Sequence, residues 1–194
     1  MEIEPTVEVD VLVAGPEHAI HAEEICNQME VAATIRGTGI AKRAPEYIRK
    51  KIEQGQAVIA LAGTQLAGFC YIESWDTKKY VANSGLIVCP EFRRLGLARR
   101  LKSRAFDLSR ELFPDARIFG ITTSLAVMKI NSDLGYKPVT FSELTQDEVF
   151  WKGCQSCPNH DVLERTKRQY CLCTGMLYDP AKDKKASEGG NSGD

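Results

Sequence analysis

The sequence predicts an α/β fold: a mixed, mostly antiparallel central sheet with helices packed on its faces. Three patterns predict it. Segments at 57–62, 65–75 and 80–89 are strand-like and joined by short turns, which makes them an antiparallel meander. A strongly amphipathic helix follows at 98–112. Leu97, Leu101, Ala105, Leu108 and Leu112 form its apolar stripe, and five Arg or Lys residues fall on its other faces. A strand–helix–strand succession then occupies 117–141.

The elements follow in order. Val9 to Val13 reads as a first strand. Pro16 and Glu17 open a helix, since Pro is tolerated in a first turn and acids suit an N-terminus. Ala22, Ile25, Cys26 and Met29 lie at helical spacing on one face. RGTGIAKRAP is a loop, and Pro45 to Gln54 is a short second helix ending before Gly55. The meander comes next, with its second turn at Asp76-Thr77-Lys78. Pro114 closes the amphipathic helix. Arg117 to Thr123 is a strand and Leu125 to Leu134 a helix capped by Gly135. Tyr136 to Phe141 and Cys171 to Tyr178 are the last two strands, around a Cys-rich insertion at 142–175. Residues 1–180 are expected to form one domain. The tail 181–194 has no large apolar residue and three glycines, and is predicted to be disordered.

Composition narrows the function. The formal net charge is −1, which argues against a global polyanion-binding surface and hence against a nucleic-acid partner. No apolar run approaches the roughly 20 residues of a membrane helix. The acidic start MEIEPTVEVD has no apolar core, so it is no secretory signal, and the expected location is cytoplasmic. Charge is unevenly spread. Residues 1–30 hold eight acids and no Lys or Arg, whereas 36–51 hold six Lys or Arg against Glu46 alone. Either these are two solvated faces that offset each other, or the basic segment faces an acidic small molecule.

The most informative stretch is LIVCPEFRRLGLARRL, residues 86–101. An apolar strand ends at Pro90, and a turn with Arg93, Arg94 and Gly96 leads straight into the amphipathic helix. A helix N-terminus presents unpaired N–H groups and partial positive charge. With a glycine in the turn, those N–H groups can close around a phosphate. Gly96 and Ala98 keep the approach open, and Arg94, Arg99 and Arg100 add cations.

Over residues 7–141 the sequence resembles the GNAT superfamily of acyl-CoA-dependent N-acyltransferases. The resemblance rests on Arg93-x-x-Gly96-x-Ala98 and on SLAVMKINSDLGYKP, residues 124–138, where Gly135-Tyr136 stands for the family's "GF" dipeptide. It implies acetyl-CoA, or another acyl-CoA, as co-substrate. Leu86, Ile87 and Val88 would lie along the pantetheine, and Arg93, Arg94, Leu95, Gly96, Leu97, Ala98 and Arg99 around the pyrophosphate. It also implies direct attack of an unprotonated amine on the thioester, with an oxyanion donor near the Val88 N–H and a base or water relay for the amine proton. Glu73 is the candidate base, with Asn83 and Ser84 as candidate holders of a relay water. Many members carry a Tyr four residues before the glycine, as acid for the departing thiolate. Asn131 stands there; it can donate a hydrogen bond but cannot transfer a proton.

Cys154-x2-Cys157 and Cys171-x-Cys173 have the spacing of a four-thiolate structural zinc site. On a strand, Cys171 and Cys173 would share a face. Four reduced thiols, or a redox pair, are the alternatives. This Cys-rich segment resembles a bacterial N-acylglutamate synthase-like subgroup. The leading functional reading is N-acyl transfer to a small-molecule amine, glutamate or another amino acid, with Arg36 and Arg43 binding the acceptor's carboxylates. The alternatives are a protein N-terminal or lysine acetyltransferase and a non-catalytic acyl-CoA- or zinc-binding module. A homodimer is left open.

Overall fold

A computed structural model describes residues 8–37 and 42–182. Seven strands form one sheet: β1 (Asp10–Val13), β2 (Ala57–Ala62), β3 (Gln65–Trp75), β4 (Tyr80–Val88), β5 (Arg117–Thr122), β6 (Lys137–Val139) and β7 (Thr174–Tyr178). Their spatial order is β1-β2-β3-β4-β5-β7-β6. Every pairing is antiparallel except β4 with β5. The helices are α1 (Ala22–Arg36), α2 (Pro45–Glu53), α3 (Leu97–Leu112), α4 (Leu125–Asp133), α5 (Glu148–Lys152) and α6 (His160–Arg165). This is the predicted mixed, mostly antiparallel α/β fold. No helix among the described residues is long and apolar enough to cross a membrane.

Strand alternation sorts β3 onto two faces. On one face Gly68 meets Leu101 of α3, so closely that an added Cβ would lie 2.7 Å from its Cδ1. On the other, Tyr71 makes an edge contact with Tyr47 of α2 and lies beside Met29 of α1. Both faces of β3 are therefore covered, and residues 66–73 are all buried. Val58, Phe69, Ile72, Leu101 and Ile52 belong to one core cluster. A second, around Phe119, Phe141, Trp151 and Leu163, lies beneath α5 and α6.

Several expectations are corrected. Pro16 to His21 is a 3-10 turn that runs into α1, not α-helix. Leu112 is 47% exposed and leaves the stripe of α3, whereas Lys102 and Ser109 are buried. The 98–102–105–109 row also faces inward, because the buried arc of α3 is wider than one stripe. The strand expected at 136–141 is cut to Lys137–Val139, followed by a 3-10 turn over Phe141–Glu143. The last strand begins at Thr174, so Cys171 and Cys173 precede it and alternation does not set their direction. Segment 142–170 folds into α5, α6 and 3-10 turns. Of the predicted disordered tail, residues 183–194 lie outside the described residues, as do 38–41 of the basic loop.

Candidate active site

The site is built where β4 leaves its neighbours. β4 and β5 pair only through Tyr80–Arg117, Val81–Ile118 and Ala82–Phe119. Beyond that point they diverge, so the second half of β4 has no strand partner on its β5 side. A bulge against β3 falls in the same half, between the Phe69–Ile87 and Tyr71–Ser84 pairs. Gly85 makes the bulge feasible. Its φ is +64°, and a Cβ there would lie 2.4 Å from Tyr71 Cε1 and 2.7 Å from Met29 Cε.

Past Val88 and a 3-10 turn at Pro90–Phe92, the chain reaches the turn into α3. Arg94 (φ +68°) and Gly96 (φ +71°) both take the left-handed conformation, and Gly96 caps α3. The N–H groups of Arg99 and Arg100 bond to Gly96 O, at 3.1 and 3.3 Å. Those of residues 94–98 have no acceptor among the described residues, which leaves an open anion-binding concavity at a helix N-terminus. A Cβ on Gly96 would meet nothing within 4 Å. The cations are shared out differently from their sequence reading. Arg93 Nε donates to Val88 O (3.3 Å), Arg99 pairs with Asp133 (2.6 Å) and Arg100 donates to Val9 O (2.7 Å). Arg94 stays exposed.

Beside the diverging strands lies a cavity of about 800 Å³. Its walls come from α2, β3, β4, β5, α4 and the 141–173 segment. Glu73 lines it and is 6% exposed. Tyr47 Oη donates to Glu73 Oε1, and Arg43 Nη2 sits 3.8 Å from Oε2. Arg43 also donates to Tyr71 Oη (2.9 Å) and lies over the Tyr47 ring. Burial raises the Glu73 pKa, against the opposing pull of Arg43 and the Ser84 hydroxyl.

Two buried side-chain polar atoms have no hydrogen-bond partner among the described residues, Trp75 Nε1 and Asn131 Oδ1. Both residues line this cavity. Each atom is covered by its neighbours, so these are an unsatisfied donor and an unsatisfied acceptor just behind the cavity wall. Asn131 is 1% exposed, and its Nδ2 donates to Met176 Sδ (3.6 Å).

Asn83 turns to the α3 face. Its Nδ2 donates to Ser109 Oγ (2.8 Å), and its Oδ1 accepts from Tyr136 Oη (2.9 Å) and Lys102 Nζ (3.4 Å). The sequence places Lys102 only among the five Arg or Lys residues off the apolar stripe of α3, which does not single it out. The signal was its place in the row Ala98, Lys102, Ala105, Ser109, whose other members are all small.

Two cations of the basic segment are answered by the acidic N-terminal region. Lys42 pairs with Glu30 (2.7 Å) and Arg49 with Glu23 (3.4 Å). Arg43 alone of the two acceptor candidates is seen in the cavity wall; Arg36 ends α1 and its side chain is outside the described residues.

Cys154, Cys157, Cys171 and Cys173 also line the cavity and act on one another electrostatically. Burial, reinforced by the neighbouring thiols, pushes Cys154 up to about 11 and Cys173 up to about 12. Among the described residues, no group of three or more His, Cys, Asp or Glu side chains is arranged to hold a metal ion. The four thiols are thus gathered but do not form a tetrahedral shell.

Comparison with known proteins agrees with this geometry. Residues 42–126, from Lys42 to α4, match the family model described as acetyltransferase (GNAT) family. Thialysine N-epsilon-acetyltransferase of Caenorhabditis elegans is 29% identical over 134 residues, covering 66% of this chain and 81% of that protein. N-acetylglutamate synthase from Neisseria gonorrhoeae, solved with coenzyme A and N-acetyl-glutamate, superposes with a TM-score of 0.63 over 90% of this chain at 16% identity. The chain spans only 35% of that enzyme's length. Diaminobutyrate acetyltransferase from Paenibacillus lautus, solved with coenzyme A and L-2,4-diaminobutyric acid, gives 0.60 over 90% of this chain and 96% of its own at 8% identity. At these identities the structural likeness is one of fold. Taken with the family match over the turn and the cavity-lining strands, it makes this chain similar, over residues 42–126, to the acetyltransferase (GNAT) family.

Proposed function

We propose that the protein transfers an acetyl group from acetyl-CoA to the amine of a small acceptor of the amino-acid class. The observation that carries this reading is the buried Glu73, held by Tyr47 and Arg43, in a cavity that Trp75, with its unpartnered Nε1, also lines. In this reading the pyrophosphate occupies the N–H groups of residues 94–98, and the pantetheine follows the free side of β4 past Leu86, Ile87 and Val88. Glu73 takes the amine proton, directly or through a water held by Ser84. Arg43 receives a carboxylate of the acceptor. Relatives acting on thialysine, glutamate and diaminobutyrate favour an amino-acid acceptor, and Arg43 favours one with a free carboxylate.

The test is release of CoA thiol from acetyl-CoA with glutamate, lysine, thialysine, diaminobutyrate and short peptides as acceptors. Turnover with free amino acids is the expected result. Turnover with peptides alone moves the function to protein acetylation, and none while CoA binds makes the protein a binding module.

The proposal extends to the four cysteines as a structural zinc site that closes only on the metal. Thiolates are the right donors, and a dication would offset the burial, reinforced by the neighbouring thiols, that keeps Cys154 and Cys173 protonated. About one zinc per chain by elemental analysis, lost in Cys157→Ser together with thermal stability, is the expected result. Metal-free protein with four alkylatable thiols and unchanged stability would refute it.

A further inference from the structure

The acyl-transfer reading assigns a base but no acid. When the tetrahedral adduct collapses, the C–S bond breaks and the CoA sulfur leaves with the electron pair. Asn131 cannot supply a proton, and its NH2 group already faces Met176 Sδ.

Resting on that reading, we infer that Lys102 is the proton donor to the departing CoA thiolate. Lys102 is 2% exposed yet lines the cavity. Among the described residues it has no carboxylate partner; its contacts are the long bond to Asn83 Oδ1 and the Tyr136 ring, 5.6 Å away. An ammonium carries three protons, and a single weak acceptor leaves two for something else. A Cβ placed on Gly120 would lie 3.9 Å from Lys102 Nζ, 4.0 Å from Asn131 Nδ2 and 3.8 Å from Asn83 O. Gly120 is the first β5 residue past the last pair with β4, so the ammonium faces the opening between the two strands.

The two proton-handling groups therefore approach from opposite faces of the sheet. Glu73 shares the face of Tyr71 and α2, while Lys102 comes from α3 on the other. A thioester held in the opening would present its carbonyl carbon to an amine on the Glu73 side and its sulfur to Lys102. The balance is complete. The C–N bond forms as the C–S bond breaks, the amine proton goes to the Glu73 carboxylate, and the thiolate takes a proton from the Lys102 ammonium. After release of amide and thiol, Glu73 loses a proton to solvent and Lys102 regains one.

The surroundings suit that cycle. The titratable group acting on Lys102 is Cys70 of β3, and the Tyr136 ring faces it; burial keeps both neutral. With no anion to hold its charge, the buried amine drops to about 8, so at neutral pH it is mostly protonated yet ready to give the proton up.

The experiment separates this inference from the reading on which it rests. CoA is bound to wild type, Lys102→Met and Lys102→Arg, with affinity measured calorimetrically, and the bound thiol is titrated by its ultraviolet thiolate absorbance. In Lys102→Arg, which stays charged throughout the titration, the bound thiol's pKa is expected to lie about 1 unit below that in Lys102→Met. In turnover, Lys102→Met is expected to lose about 100-fold in kcat with little change in the acetyl-CoA KM. Wild-type kcat should fall as pH rises through about 8, and that limb should vanish in Lys102→Met. Lys102→Arg keeps the charge but not the transferable proton, so it should show the lowered thiol pKa and stay slow. Equal thiol pKa values in folded, CoA-binding Lys102→Met and Lys102→Arg overturn the inference, as does full recovery of kcat in Lys102→Arg. Failure of wild type to bind CoA overturns the acyl-transfer reading itself.

Discussion

At the residue scale, Glu73 shows how a fold makes a base out of an ordinary carboxylate. Burial raises its pKa, Arg43 and Ser84 pull it back, and Tyr47 fixes one oxygen. A base works only when deprotonated, so kcat should rise with pH through the raised Glu73 pKa. Glu73→Gln is expected to cost about 100-fold in kcat and to remove that acid limb. Tyr47→Phe deletes a donor to the carboxylate, which disfavours the charged form, so the limb should move to higher pH with the base still present. If both variants keep the wild-type pH profile, Glu73 is only a buried wall residue. Glu73 was legible in the sequence as a carboxylate near Trp75 on the third strand of the chain. Its partners were not, because Arg43 and Tyr47 reach it only once α2 packs on β3.

At the element scale, the informative unit is β4 with the turn that follows. The strand, the glycine turn and the amphipathic helix could be read directly, since strand, turn and helix periods each leave a local signature. The bulge at Gly85 could not, because it depends on the register between β3 and β4, and nothing local announces it. The two glycines now make opposite predictions. At Gly85 a Cβ meets the Tyr71 ring and the Met29 methyl at a left-handed φ. Gly85→Ala should therefore destabilise by about 3 kcal/mol, from backbone strain and overpacking together. At Gly96 the space is open, so Gly96→Ala should cost only about 1 kcal/mol of strain. It should nevertheless weaken CoA binding about tenfold, by holding the phosphate off the N–H groups. Thermal melts and calorimetry on the two variants check this. Equal melting temperatures, or unchanged CoA affinity in Gly96→Ala, would contradict it.

At the scale of the whole molecule, the charge asymmetry has two destinations. Among the described residues, Glu23 and Glu30 of α1 pair with Arg49 and Lys42 of the basic run, so part of the predicted patch is spent on itself. Net charge by segment was legible; its allocation was not, because it depends on which side chains the packing turns inward. Lys42 and Arg43 are adjacent and differ in this respect. Lys42 and Glu30 form an exposed pair, with side chains 75% and 59% accessible, of a kind worth at most about 1 kcal/mol. Arg43 is bent over Tyr47 into the cavity, against Tyr71 and Glu73. Lys42→Gln should thus leave the melting temperature within about 3 °C and both KM values unchanged. Arg43→Gln should raise the acceptor KM about tenfold while sparing the acetyl-CoA KM, because a carboxylate on the acceptor loses its cation. It should also shift the acid limb of kcat upward, because Arg43 favours the charged form of Glu73. Arg43→Lys keeps the charge but loses the fork that spans Tyr71 and Glu73, and should fall between the two. Equal changes in both KM values for Arg43→Gln would mean that Arg43 holds α2 against the sheet and takes no part in acceptor binding.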